Sequence, residues 1–407
     1  MIKTKDKMNS FLSTSSILLI LGILLIAANL RPSLTSVGPL LGFIQEEMNL
    51  SHGIAGLITT LPLLSFAIFS PLAPKISNRY GSEWLLFIGL IILTTGILVR
   101  SVPSVTTLFL GTAIVGMAIA ICNVLLPGII KQRFPNQVGL MTATYSTSMG
   151  IFASIGSGLS IPLAQVLPFG WKGALAFWAI LAIIAILAWL PQISKRIKRS
   201  TAKRKTNSTG VWRSLLAWQV SFFMGFQSFA FYVTITWLPE ILHDYGLDIS
   251  TAGWLVSLMG LMGVPSNFLI PILAERRSNQ QLWVIIISTL YVLGLAGLLF
   301  NHSLSWFILC VIIIGLSQGA CISLSYTLIG LRAKNAQQAE QLSGMAQSIG
   351  YLLAAMGPFL CGYIHDFTHS WVIPLTITIC VCVLMIFFGL GAGRAMYIHS
   401  SRDKRVF

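Results

Sequence analysis

Carboxylates are scarce in this sequence: 11 Asp and Glu stand against 26 Lys and Arg in 407 residues, and charged residues of both signs make up only 9%. Soluble domains carry about 25% charged residues, so an ordinary water-exposed globule is excluded. Metal-ligand spacing is missing too. The cysteines at 122, 310, 321, 361, 380 and 382 fall within or beside apolar stretches, without metal-ligand spacing around His or acidic residues, and read as small packing residues. There is no Gly-rich phosphate loop of the P-loop type, so ATP would have to be handled by another chain, and no cofactor is expected. The net charge of +15 does not point to nucleic acid, because the basic residues sit in short loops and are not interleaved with stacking aromatics on one folded face.

What the chain has in abundance is apolar length, with 55% hydrophobic residues. Windows long enough for a hydrocarbon core of about 30 Å lie at 15–44, 52–74, 83–101, 105–130, 138–165, 171–190, 212–240, 251–274, 281–300, 304–331, 340–364 and 371–393. The expected fold is therefore an all-α membrane protein with twelve transmembrane helices. With the N-terminus inside and loops alternating, 23 of the 26 Lys and Arg fall on the inner side; Arg100 and Lys172 fall outside, and Arg31 is left over. One missed helix would invert everything after it, so this asymmetry supports both the even count and cytoplasmic termini. The expected organisation is a cytoplasmic tail (1–14), a six-helix half (15–190), a basic cytoplasmic linker (191–211), a second six-helix half (212–393) and a cytoplasmic tail (394–407). The N-terminal tail lacks a small-residue cleavage site and reads as retained. The linker charges suit anionic lipid headgroups, the expected location is the cell membrane, and a monomer is expected.

The two halves share an offset of 200. Gly53 and Gly253 open matching helices that end in "SPLAPKISNR" and "IPILAERRSN", Pro39 matches Pro239, and "STSMG" at 146–150 matches "AQSIG" at 346–350. A common register across three helix pairs points to two pseudo-symmetric halves.

The segment "LIAANLRPSLTSVGPLL" (25–41) interrupts the first apolar run. Residues 16–30 give only about 22 Å of helix at about 1.5 Å per residue, so span 1 has to continue past Arg31 and Pro32. Every acid, however, falls near a span end or in a loop: Asp6, Glu83, Glu275, Glu340 and Asp403 on the inner side, and Glu46, Glu47, Glu240, Asp244, Asp248 and Asp366 on the outer side. A guanidinium near mid-membrane is costly and should face a polar cavity, where its planar fork could grip an anionic or electron-rich solute. The bland alternative is an arginine snorkelling outward to Glu46 or Asp244, or bonded to carbonyls freed near Pro32 and Pro39. Candidate cavity residues at comparable depth are Asn29, Gln227 with Phe231 and Tyr232, Asn123, Gln318 with Ser323, Tyr145, and Gln347 with Tyr351. Each of them could instead bond to a neighbouring helix. His365 and His369, near the outer surface, read as solvated loop residues, and so does the cluster of His243, Asp244 and Asp248, which is the nearest thing to a paired catalytic group. An enzyme is not expected.

Twelve spans, a basic central loop and a parallel repeat resemble the major facilitator superfamily. "NRYGSE" (78–83) stands where that family carries an Asp-Arg-x-Gly-Arg-Lys motif; Arg79 and Gly81 fit, while Asn78, Ser82 and Glu83 depart, which implies a differently built inner latch. "NLRPSLTSVGPLL" and "GFQSFAFYVTITWLPEIL" resemble the cyanate and 2-nitroimidazole transporter branch, through Asn29, Arg31, Pro32, Gly38 and Pro39, and through Gln227, Ser228, Tyr232, Trp237, Leu238 and Pro239. The resemblance implies a secondary active transporter working by alternating access, with a small anionic or electron-rich solute as its partner. The rival expectation is multidrug or toxicant efflux by the same fold with Arg31 structural.

Overall fold

A computed structural model describes residues 14–50, 52–194, 209–300 and 303–398. The expected N-terminal tail up to residue 13, the linker from 195 to 208 and the C-terminal tail from 399 lie outside the described residues. Within them the chain forms helices and no strand. This is what an apolar chain in lipid requires, because helices satisfy their own backbone.

Span 1 is built from three pieces: α1 (Thr14–Asn29), α2 (Pro32–Thr35) and α3 (Val37–Met48). Span 2 is α4 (His52–Phe69), bent by 54° from α5 (Ala73–Tyr80) across Ser70 to Leu72, where Pro71 removes a donor. Spans 3 to 6 are α6 (Ser82–Arg100), α7 (Val105–Arg133), α8 (Val138–Val166) and α9 (Trp171–Ser194). After the short α10 (Thr209–Trp212), spans 7 to 12 follow as α11 (Leu215–Asp244), α12 (Ile249–Glu275), α13 (Gln281–Gly297), α14 (Leu304–Arg332), α15 (Ala336–Thr368) and α16 (Val372–Ala392). Among the described residues, nine helices are apolar and long enough to cross a membrane unaided, and the bent α4–α5 pair makes a tenth. The other two spans are the 17-residue α13 and the 30-residue α11. α11 is more polar, because it carries Gln219, Gln227, Ser228 and Thr234.

The chain divides into two compact units, one comprising residues 1–65, 75–126 and 148–203, the other 66–74, 127–147 and 204–407. In the first, α9 packs on α6 and α1. In the second, α12 crosses α14 closely: a side-chain carbon added at Gly319 would strike the Gly263 carbonyl and come within 2.7 Å of Ser266 Oγ. Small residues four apart, here Gly315 and Gly319, let helix backbones meet where lipid gives no hydrophobic drive to association.

The 200-residue offset reappears in the coordinates. Trp171 opens α9 and donates from Nε1 to Glu47 Oε2 at 2.6 Å; Trp371, just ahead of α16, donates to Asp244 Oδ2 at 2.7 Å. Phe169 and His369 both adopt positive φ, 71° and 49°, in the turns that lead into those helices.

Several charged residues differ from expectation. Arg100, expected in an outer loop, is the last residue of α6 and is 1% exposed. It is buried because Gly111 of α7 leaves no room there, its missing side-chain carbon lying against the Arg100 backbone and Cβ. Arg332, expected in an inner loop, is likewise buried, donating to the Ala392 carbonyl at 2.8 Å and to Gln280. His365 is no solvated loop residue: it lies in α15, stacks on Trp371 with ring centres 4.0 Å apart, and stands 3.7 Å from Asp244. Five of the cysteines are buried, and Cys380 is exposed.

In "NRYGSE", Gly81 has φ 92°, a conformation that favours glycine, and it separates α5 from α6. Ser77 and Ser82 bond across that turn at 2.8 Å, and Trp189 of α9 donates to the Glu83 carbonyl at 3.0 Å. This corner is therefore fastened by hydroxyls and an indole.

Candidate functional site

The feature that organises the first unit is the break in span 1. α1 ends at Asn29 and α2 begins at Pro32, whose ring nitrogen cannot donate, so regular bonding lapses at Leu30 and Arg31. Three neighbouring helices hold the break. Asn29 is buried and donates through Nδ2 to Leu25 of its own turn at 2.8 Å and to Leu181 of α9 at 3.1 Å. From α8, Ser160 donates to the Ser36 carbonyl at 3.0 Å, and the Ala153 carbonyl accepts from Thr35 Oγ1 at 2.8 Å. A side-chain carbon at Gly156 would stand 2.7 Å from Pro32 Cα, so α8 rides directly on the proline. From α6, the buried Arg100 donates through Nη1 to the Ser33 carbonyl at 2.5 Å, while its Nε and Nη2 have no hydrogen-bond partner. Arg31 is half-buried and has contacts of its own within the protein. The outcome is a non-helical step carrying a guanidinium, with the carbonyls and side chains around it tied to three other helices.

Of the other candidates in this unit, Asn123 lies on α7, 3% exposed, and its Oδ1 has no partner.

In the second unit, residues 138–147 of α8 belong with α11 to α16. Tyr145 and Tyr326 of α14 meet edge to face with ring centres 5.8 Å apart; both are buried, and neither hydroxyl has a partner. Tyr351 of α15 packs on Phe66 at 4.5 Å. One turn before it, Gln347 is fully buried, donates from Nε2 to Ser343 Oγ at 2.8 Å and leaves Oε1 unpartnered. Gln227 of α11 is buried and donates to the adjacent Ser228 at 2.8 Å. Tyr232 is half-buried against Phe231 at 5.2 Å. Gln318 donates to the hydroxyl of Tyr291 on α13 at 2.9 Å, and Ser323 turns back to the Gly319 carbonyl at 2.9 Å, so both make bonds within the helix packing.

The coordinates thus gather Tyr145 with Tyr326, and Gln347 with Tyr351 and Phe66; Arg31 and Asn29 belong with Arg100. The sequence reading passed over Arg100, Tyr326, Asn267 and Tyr291. Asn267, a lone amide in the apolar span 8, was open to the rule that selected Asn123. It donates to the Ser146 carbonyl at 3.2 Å and leaves Oδ1 unpartnered.

Comparison with known proteins bears on what this scaffold is. An uncharacterized transporter, YycB, of Bacillus subtilis is 50% identical, covering 95% of this chain and 96% of its own. The 2-nitroimidazole transporter of Escherichia coli is 43% identical over 93% of this chain and 96% of its own. The cyanate transport protein CynX of Escherichia coli is 25% identical over 87% and 92%. Among solved structures, the human organic anion transporter MFSD10 superposes with a TM-score of 0.74 at 15% identity, covering 92% of this chain and 100% of that one, a likeness of fold. The sequence pattern of the Major Facilitator Superfamily matches residues 19–358, and with these full-length relatives the chain belongs to that superfamily, in its cyanate and 2-nitroimidazole transporter branch.

Proposed function

We propose that this transporter is a secondary active carrier that works by alternating access and moves a small anionic or electron-rich solute, cyanate-like or nitro-heterocycle-like. The observation that carries the reading is the braced break in span 1. Placing a guanidinium at a proline interruption inside a membrane-spanning segment is expensive, and hydrogen bonds from α6, α8 and α9 converge on the residues beside it. Such bracing holds a planar fork at a fixed position, which is what recognition of two acceptor atoms on one solute demands. The names of the two relatives from Escherichia coli, one at 43% identity, supply the solute classes. In this reading both termini are cytoplasmic, the working unit is a monomer in the cell membrane, and the basic loops face anionic headgroups.

The test is solute movement in proteoliposomes. Purified protein is expected to carry 2-nitroimidazole or cyanate, with Arg31→Gln abolishing uptake and Arg31→Lys failing to restore it, since an ammonium offers no fork. An Arg31→Gln protein that folds, inserts and transports normally would sink the proposal and leave the arginine a structural element.

A further inference from the structure

We propose that Tyr145, Tyr326, Gln347 and Asn267 form a subsite for a flat heteroaromatic solute that carries both a ring N–H and an acceptor group. The inference rests on the solute reading above and sharpens it, because it separates the two classes that reading leaves together.

The physical basis is a set of buried polar atoms without partners. Interiors of folded proteins leave few such atoms, and each one calls for an explanation. Here four belong to side chains on α8, α12, α14 and α15, all within one compact unit: the hydroxyls of Tyr145 and Tyr326, Gln347 Oε1 and Asn267 Oδ1. Tyr145, Tyr326 and Gln347 are 1%, 2% and 0% exposed. Three of the groups are neighbours, for the two phenol rings touch and Asn267 is bonded to the residue next to Tyr145; Gln347 lies on α15 one turn before Tyr351.

Their chemistry is divided. Both amides have already committed an N–H, Gln347 to Ser343 Oγ and Asn267 to the Ser146 carbonyl, which turns their carbonyl oxygens into the unused ends. A carbonyl oxygen only accepts, so it needs a ligand with a donor. The two phenols can donate, and so suit the oxygens of a nitro or carboxylate group. Aromatic faces lie alongside, with Tyr351 packed on Phe66. Cyanate and nitrate, ionised at neutral pH, carry no proton to offer the amides. A nitroimidazole carries one ring N–H, which answers the Gln347 carbonyl oxygen, two nitro oxygens, which answer the phenols, and a flat ring.

The deciding experiment varies the ligand before the protein. Binding of 2-nitroimidazole, 1-methyl-2-nitroimidazole and cyanate is measured by titration calorimetry on the purified full-length protein in nanodiscs. The N–H compound is expected to bind at least tenfold more tightly than its N-methyl analogue. That ratio should collapse in Gln347→Met, while Tyr326→Phe, which removes one oxygen and keeps the ring, weakens both heterocycles together. If the methylated compound binds as well as its parent in a protein whose Arg31→Gln variant no longer binds either, the subsite is overturned and the solute reading stands. If the unmutated protein binds none of the three probes, both are overturned. Because the wild-type ligand comparison needs no substitution, a variant that fails to fold does not blunt the result.

Discussion

Replacing Arg100 by methionine tests the bracing of span 1, and the structure fixes how the effects should divide. The substitution removes a charge-assisted hydrogen bond to the Ser33 carbonyl, 2.5 Å long, of a kind that contributes about 1.5–3 kcal/mol. It also removes two buried N–H groups, Nε and Nη2, that have no partner, and each unsatisfied buried donor costs about 1–3 kcal/mol. The substitution also leaves the Ser33 carbonyl without that donor, a further cost of about 1–3 kcal/mol, so loss and relief are of similar size, and a buried charge replaced by an apolar side chain of similar volume is often neutral or stabilising. The fold should therefore survive, with a change of no more than about 2 kcal/mol on this balance. Transport should weaken. Ser33 is two residues from Arg31, and without its donor the chain beside the step at residues 30–31 loses this bond to α6. A fall in 2-nitroimidazole uptake of about tenfold, equivalent to about 1.4 kcal/mol, is expected, with thermal melting in detergent close to wild type. Arg100→Lys should transport poorly as well, because the clamp needs reach and planarity in addition to charge. Unimpaired uptake by Arg100→Met would refute the positioning argument, and a protein that no longer folds would refute the energy balance.

Two further outcomes follow from the packing and the charge pairs. Gly319→Ala drives a methyl group into the Gly263 carbonyl and should destabilise the protein by about 1–3 kcal/mol; Gly260→Ala, which meets nothing within 4 Å, should melt like wild type, and equal melting of the two would contradict the close crossing. Glu47 lies beyond the apolar stretch of span 1, and its hydrogen bond from Lys172 holds its carboxyl below the ordinary 4.5, outweighing the opposing effect of burial. A lowered carboxylate pKa stabilises the fold fully above that value and less as pH falls below it. Acidification from pH 5 downward should therefore release the Trp171 indole and shift its fluorescence to the red, and Glu47→Gln should lack that transition.

The helices were legible because apolar length and the distribution of basic residues are collective properties, robust to any single residue. The break in span 1 was legible for a different reason: fifteen helical positions are too few to cross, whatever follows. Arg100 was not legible. A basic residue at the end of an apolar run reads as a loop charge, and nothing local tells that Gly111, on the next helix, brings a backbone so close that the side chain is enclosed. Among the candidate site residues the limit has the same origin. Gln318 and Gln347 are alike in sequence, both amides deep in a span, yet one meets the Tyr291 hydroxyl while the other keeps a carbonyl oxygen free of any bond. That difference depends on which helix lies opposite. Tyr326, hidden among small residues, draws interest only once Tyr145 is seen against it.

The paired indole–carboxylate links also set a clock for biogenesis. Glu47 and Trp171 are separated by 124 residues, and Asp244 and Trp371 by 127. At about 5–20 residues per second of synthesis, each acid waits roughly 6–25 s for the indole that receives it. During that interval the first helix of each half is in place and its sixth does not yet exist. The closing bond therefore forms late in both halves, and a ribosome paused before the indole is made would leave a half whose opening helix is still untethered at that end.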